Sequence, residues 1–140
     1  MLGLNGIGIL KIRKKFETIK YGVKVDVNGL NMNVSVIGEQ NDITIVLLPG
    51  LGVTSPVISY KAFVELLADK FKIITVEPFG YGLSDGTKDE RTNKNYISEI
   101  HFCLQKLGVK KYYLMAHSMA GIYSLSYANK YLKKFYVSLD

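Results

Sequence analysis

Leu114-Met115-Ala116-His117-Ser118-Met119-Ala120-Gly121 joins an apolar, strand-like run to an apolar, helix-like one. A serine at such a junction stands on a tight strand-to-helix turn with its hydroxyl lifted above the sheet, the geometry of a nucleophile elbow. The backbone folds closely around that side chain, so the residues two places before and after it must be small. Ala116 and Ala120 occupy those places. Small-x-Ser-x-small is a short pattern, and its weight depends on the chain on either side.

Just before the elbow, Tyr112 to Met115 reads as a buried strand. Just after it, Ile122 to Tyr131 reads as a helix and Phe135 to Leu139 as a further strand. Upstream, Ile97, Ile100, Leu104 and Leu107 recur at three- and four-residue steps, which predicts an amphipathic helix closed by Gly108. Phe71 to Val76 and Ile43 to Leu48 are nearly continuous apolar, β-branched runs, as expected of strands covered on both faces. Between them Tyr60 to Asp69 has helical spacing with Ser59 as its N-cap. Strand, helix, strand in this order implies a crossover between parallel strands. Nearer the start, Tyr21 to Val27 and Met32 to Ile37 alternate apolar and polar residues around Asn28-Gly29, the signature of an antiparallel hairpin.

Composition bounds the function classes. The chain has 140 residues, enough for one domain with a core and too few for two ordinary ones. With 48% hydrophobic and 21% charged residues it belongs among globular chains. A mean hydropathy of +0.12 leaves apolar surface for a partner or a membrane. The net charge of +6 comes from dispersed lysines without an arginine-rich or aromatic-interleaved stripe, which argues against nucleic acid as a partner. The single cysteine, Cys103, rules out an intramolecular disulfide, fits a reducing, cytoplasmic setting and reads as a buried helix residue.

Met1 to Leu10 is apolar and glycine-rich and precedes Lys11-Ile12-Arg13-Lys14-Lys15. The order is wrong for a secretory signal, and a spanning helix needs on the order of 20 apolar residues. Residues 1–20 are therefore expected to be a tail or the stub of an anchor, and only a longer anchor would bring the chain to a membrane.

Three ordered motifs carry a resemblance. Leu48-Pro49-Gly50-Leu51-Gly52 is similar to a His-Gly-x-Gly oxyanion loop with proline in the histidine position. Glu77-Pro78-Phe79-Gly80-Tyr81-Gly82-Leu83-Ser84-Asp85 is similar to an Asp-x-Arg-Gly-x-Gly-x-Ser segment, and Ala116 to Gly121 to a Gly-His-Ser-Met-Gly-Gly elbow. Each falls at the end of an expected strand. From Tyr21 onward the chain thus resembles the α/β-hydrolase fold family, most closely bacterial hydrolases near the proline iminopeptidases. The fold expected is α/β: a mostly parallel sheet with an N-terminal antiparallel hairpin, truncated after the strand that follows the elbow helix, in a domain running from 21 to 140.

The resemblance implies an acyl-enzyme mechanism on a small ester or amide, with Ser118 as nucleophile, the backbone N–H groups of Met119 and Leu51 as oxyanion hole, and no cofactor or metal. In the family the acid and then the histidine follow the serine in chain order. Here the two histidines, His101 and His117, both precede it, so a base is absent. His117 adjoins Ser118, where neighbouring side chains diverge, and reads as support for the turn. His101 reads as a partly exposed helix residue. Asp140, at the end of the last expected strand, is a weak candidate acid and reads first as a residue without a catalytic role. Glu77 and Asp85 are expected to shape their loop, and Phe79 and Tyr81 to pack it.

Two readings follow. One is a serine hydrolase whose base comes from a C-terminal piece. The other is a non-catalytic α/β fragment or interaction module. An uncovered last strand would favour self-association and leave a monomer marginally stable.

Overall fold

The computed structural model describes residues 21–131. The expected strand from Phe135 to Leu139, Asp140 and the N-terminal segment lie outside the described residues.

The chain opens with β1 (Val23–Val27) and β2 (Leu30–Ile37), antiparallel partners with Val27 opposite Leu30. Only Asn28 and Gly29 separate them, with φ of 56° and 85°. Left-handed φ at both central positions is what a hairpin turn matched to strand twist requires, and Asn-Gly supplies it. β3 (Thr44–Leu48) and β4 (Lys72–Glu77) are parallel, as are β3 and β5 (Tyr113–Ala116). β2 joins the hairpin to β4 in antiparallel register, giving the order β1-β2-β4-β3-β5. The three parallel strands therefore lie together, with β3 between the other two.

Alternation along β3 explains its continuous apolar sequence. Val46 and Leu48 face a core shared with Ile74, Val76 and the helices α3 (Asn93–Lys106) and α4 (Ala120–Tyr131). Ile45 and Leu47 face a smaller core with Ile73 and with Val64 of α2 (Lys61–Leu67). Helices cover both faces of the parallel strands, so neither face of β3 can be polar. Cys103 is fully buried in the first core, and that burial pushes its thiol pKa up to about 12.

The helix ends follow local chemistry. Thr92 caps α3, its hydroxyl accepting from the Asn95 amide at 3.1 Å. At the other end Gly108, with φ of 71°, donates to Gln105 O while Val109 donates to Leu104 O. This pair of bonds is a Schellman closure, and it needs a residue tolerant of left-handed φ.

Two expectations are corrected. Ser59 does not cap the second helix. Pro56 begins a short helix, α1 (Pro56–Ser59), one turn earlier, and Tyr60 stands at the junction, its amide donating to Pro56 O and its carbonyl accepting from Val64 N. Proline has its φ preset for a first helical turn, so the helical path starts there. Nor is β5 buried like β3 and β4: Tyr113 is 71% exposed and its neighbours are half-buried. Among the described residues β5 has a strand on one side only.

Candidate active site

The elbow forms where β5 passes into α4. His117 N donates to Leu48 O at 3.1 Å, so the parallel ladder with β3 runs one residue beyond the strand. The next residue, Ser118, has φ of 56°. A non-glycine residue there costs about 1–3 kcal/mol and persists only where its surroundings fix it. Here they do. Ala120 N donates to His117 O, Gly121 N to Ser118 O and Ile122 N to Met119 O, closing the first turn of α4 directly behind the serine. Ala120 is fully buried beneath the turn, and Ser118 is exposed above it. The need for a small residue at 120 is thereby explained.

Facing the elbow is the loop after β3. A Cβ built on Gly50 would lie 2.7 Å from His117 Nδ1, 3.1 Å from His117 O and 3.1 Å from Ser118 Cβ. The loop backbone therefore runs against the elbow with no room for a side chain. Gly52, with φ of 83°, lets the loop turn back, and Val53 N donates to Gly50 O at 3.4 Å. Among the described residues the N–H groups of Leu51 and Met119 have no hydrogen-bond partner. Leu51 and Met119 also expose their side chains.

The two histidines are held elsewhere. His117 Nδ1 lies 3.0 Å from the Tyr60 hydroxyl, with the rings edge-on at 5.9 Å. His101 stacks on Tyr131 at 3.8 Å between centroids, and its Nδ1 is 3.1 Å from the hydroxyl of fully buried Tyr127, which in turn meets Tyr112 at 2.6 Å. Burial, and then the nearby Lys130, lower the His101 pKa. Neither histidine is hydrogen-bonded to Ser118.

Glu77, at the end of β4, is the hub of a separate network. Its carboxylate, with no solvent exposure, accepts from Asn33 Nδ2 (3.0 Å), Val57 N (3.2 Å), Leu83 N (2.8 Å) and the Tyr21 hydroxyl (3.1 Å). One buried side chain thus ties the hairpin, α1 and the loop after β4 together. Burial raises the Tyr21 pKa, and Tyr21 stays a neutral donor. Ser84 accepts from Asn33 N at 2.7 Å and donates to Glu77 O, and Asp85 accepts from Asn31 N at 2.7 Å. Glu77 and Asp85 shape their loop, as expected of them. Phe79 is buried in the main core and Tyr81 is half-buried.

Sequence reasoning missed Tyr60 and Tyr21. Their partners lie 57 and 56 residues away, a separation that local patterning does not bridge. No helix of the described residues is long and apolar enough to cross a membrane.

Residues 43–136 match the sequence profile of the alpha/beta hydrolase fold. The chain is 35% identical over 114 residues to YbdG, an uncharacterised protein of Bacillus subtilis, a match covering 81% of this chain and 35% of that protein. Among solved structures, Cfl2 from Burkholderia cenocepacia superposes with a TM-score of 0.72 at 24% identity, over 79% of this chain and 37% of its own. The enol-lactonase from Burkholderia xenovorans does so with a TM-score of 0.71 at 20% identity, over 79% of this chain and 42% of its own. The chain therefore spans little more than a third of these relatives. The profile match establishes the family, and the iminopeptidase-like branch within it is not singled out. Elbow, facing glycine loop and strand order agree with that profile, and the chain belongs to the α/β-hydrolase fold family.

Proposed function

We propose that the chain carries the nucleophile and oxyanion half of a serine hydrolase acting on a small ester or amide. The carrying observation is the strained, exposed Ser118 set against a glycine loop. Ser118 Oγ attacks the carbonyl carbon, its proton passes to a base, and the carbonyl oxygen takes the developing charge. The N–H groups of Leu51 and Met119 are the donors for that oxygen, and the α4 N-terminus adds a favourable dipole. Collapse expels the alcohol or amine with a proton and leaves an acyl-serine that water cleaves. The similarity of the chain to an enol-lactonase, an enzyme named for an ester substrate, supports the reading.

The base is assigned to a group other than His101 and His117, because both rings are engaged away from the serine. Free imidazole should therefore replace it. A fluorophosphonate probe should label Ser118 slowly in the native chain and faster as imidazole is added, with no labelling of Ser118→Ala. Labelling of Ser118→Ala equal to that of the native chain at every imidazole concentration would defeat the reading.

A second reading, a non-catalytic interaction module, is favoured by the exposed apolar side chains of Met119, just before α4, and of Ile122 and Leu125 on it. It predicts no imidazole-dependent labelling, and concentration-dependent association that Ile122→Asp abolishes.

A further inference from the structure

Tyr60 belongs to no motif, yet the fold fixes it firmly. Its amide and carbonyl are both bonded at the junction of α1 and α2, and its ring packs against the small core of Ile45, Leu47, Val64 and Ile73. From that anchored position its hydroxyl reaches His117 Nδ1 at 3.0 Å. His117 is the residue just before Ser118, and its Nδ1 is also the atom nearest the place a Gly50 side chain would fill. The imidazole is therefore wedged between the anchored tyrosine and the loop that carries the Leu51 amide.

We propose that Tyr60 is a positioning residue of this site, its hydroxyl holding the His117 ring so that the ring sets how closely Gly50 and Leu51 approach Ser118. The inference rests on Ser118 being the nucleophile. A phenol is the better donor and a neutral imidazole nitrogen the better acceptor, so the Tyr60 hydroxyl donates to Nδ1 and fixes the proton on Nε2. Without that bond only the edge-on ring contact remains, and the imidazole is free to turn about its χ2. Among the described residues the tip of the loop has little else to hold it. Val53 N to Gly50 O is a long bond at 3.4 Å, while the firmer bonds of the segment begin only at Thr54 and Ser55. An oxyanion donor acts through its position, and a displacement of about 1 Å costs on the order of 10²-fold in rate.

The test uses the full chain with 15N-labelled histidine. In the native chain His117 should show an unprotonated Nδ1 and a protonated Nε2. In Tyr60→Phe both nitrogens should move to tautomer-averaged positions, and the backbone amide resonances of Leu51 and Gly52 should shift. With imidazole present, fluorophosphonate labelling of Ser118 should fall about 10-fold in Tyr60→Phe, with the melting temperature nearly unchanged. His117→Gln keeps an acceptor for the hydroxyl and should recover most of the rate, whereas His117→Leu should not. A His117 tautomer and Leu51 amide indifferent to Tyr60→Phe would overturn the inference. If the native chain were not labelled at all, the hydrolase reading would fail, and the Leu51 amide would still decide whether Tyr60 positions the loop.

Discussion

Two glycine loops leave adjacent parallel strands at the same end of the sheet, and they differ in how their amides are used. Gly50-Leu51-Gly52 follows β3, and Gly80-Tyr81-Gly82 follows β4. In the second loop every amide from 80 to 85 is used: Gly80 donates to Asp85 O, Tyr81 to Pro78 O, Gly82 to Thr54 O, Leu83 to the Glu77 carboxylate, Ser84 to Tyr81 O and Asp85 to Asn31 O. In the first, among the described residues, the amides of Leu51 and Gly52 meet nothing. The same Gly-x-Gly spacing yields a saturated loop and, among the described residues, an open loop with two amides unbonded. Spacing alone does not separate the two loops; the hydrogen-bond inventory does.

The comparison can be broken most easily at Glu77. Glu77→Ala strips partners from Asn33 Nδ2, Val57 N and Leu83 N, and each buried donor left unpaired costs about 1–3 kcal/mol. A loss of about 4 kcal/mol or more, read as a collapsed urea unfolding transition, is expected. Gly82→Ala comes next. Its Cβ would fall within the Glu77 carboxylate, closer than any real contact, at a backbone φ of 48°. Overpacking and φ strain together should cost about 2–4 kcal/mol by the same measurement.

Gly50→Ala is the matching change in the open loop, and its main effect should be on reactivity. Pushing the loop off the elbow misplaces a donor, and loss of one such donor costs about 10²- to 10³-fold in rate, read from imidazole-assisted labelling. Gly52→Ala sharpens the contrast. Nothing lies within 4 Å of its Cβ, so only its φ of 83° opposes the change, and a stability loss of about 1 kcal/mol is expected.

The smallest effect concerns His101, away from both loops. Its folded pKa is lowered, so the unfolded chain binds the proton more readily. Stability should be fully present above the ordinary histidine pKa of about 6.5 and decline as pH falls through the region below it. Partial exposure of the ring keeps that slope shallow. A melting temperature that falls less between pH 7 and pH 5.5 in His101→Gln than in the native chain would bear this out.

Much of the architecture was legible because it depends on neighbours in sequence. Asn28-Gly29 could only be a tight turn, Gly108 a helix closure, and the unbroken apolar run before Pro49 a strand covered on both faces. The elbow could be read because its steric demand falls on Ala116 and Ala120, two residues away. Ser59 was misread because helical periodicity from Tyr60 onward hid the earlier start that Pro56 imposes. Tyr113 was misread because an apolar run does not reveal which of its side chains stays exposed. The roles of Tyr60, Tyr21 and Asn33 were illegible for another reason. Each is defined by a partner 44 to 57 residues away, and a side chain's type does not reveal which distant carboxylate or imidazole the fold will bring to it.

The central claim is the proposal that Ser118 is a nucleophile held beside an oxyanion hole, with a base other than His101 and His117. Mass spectrometry of the chain treated with a fluorophosphonate, with and without free imidazole, tests it most directly. The account predicts a single adduct on Ser118 whose rate of formation rises with imidazole and vanishes when the chain is unfolded. An adduct spread over several serines, or one on Ser118 that forms equally fast in the unfolded chain, would contradict it.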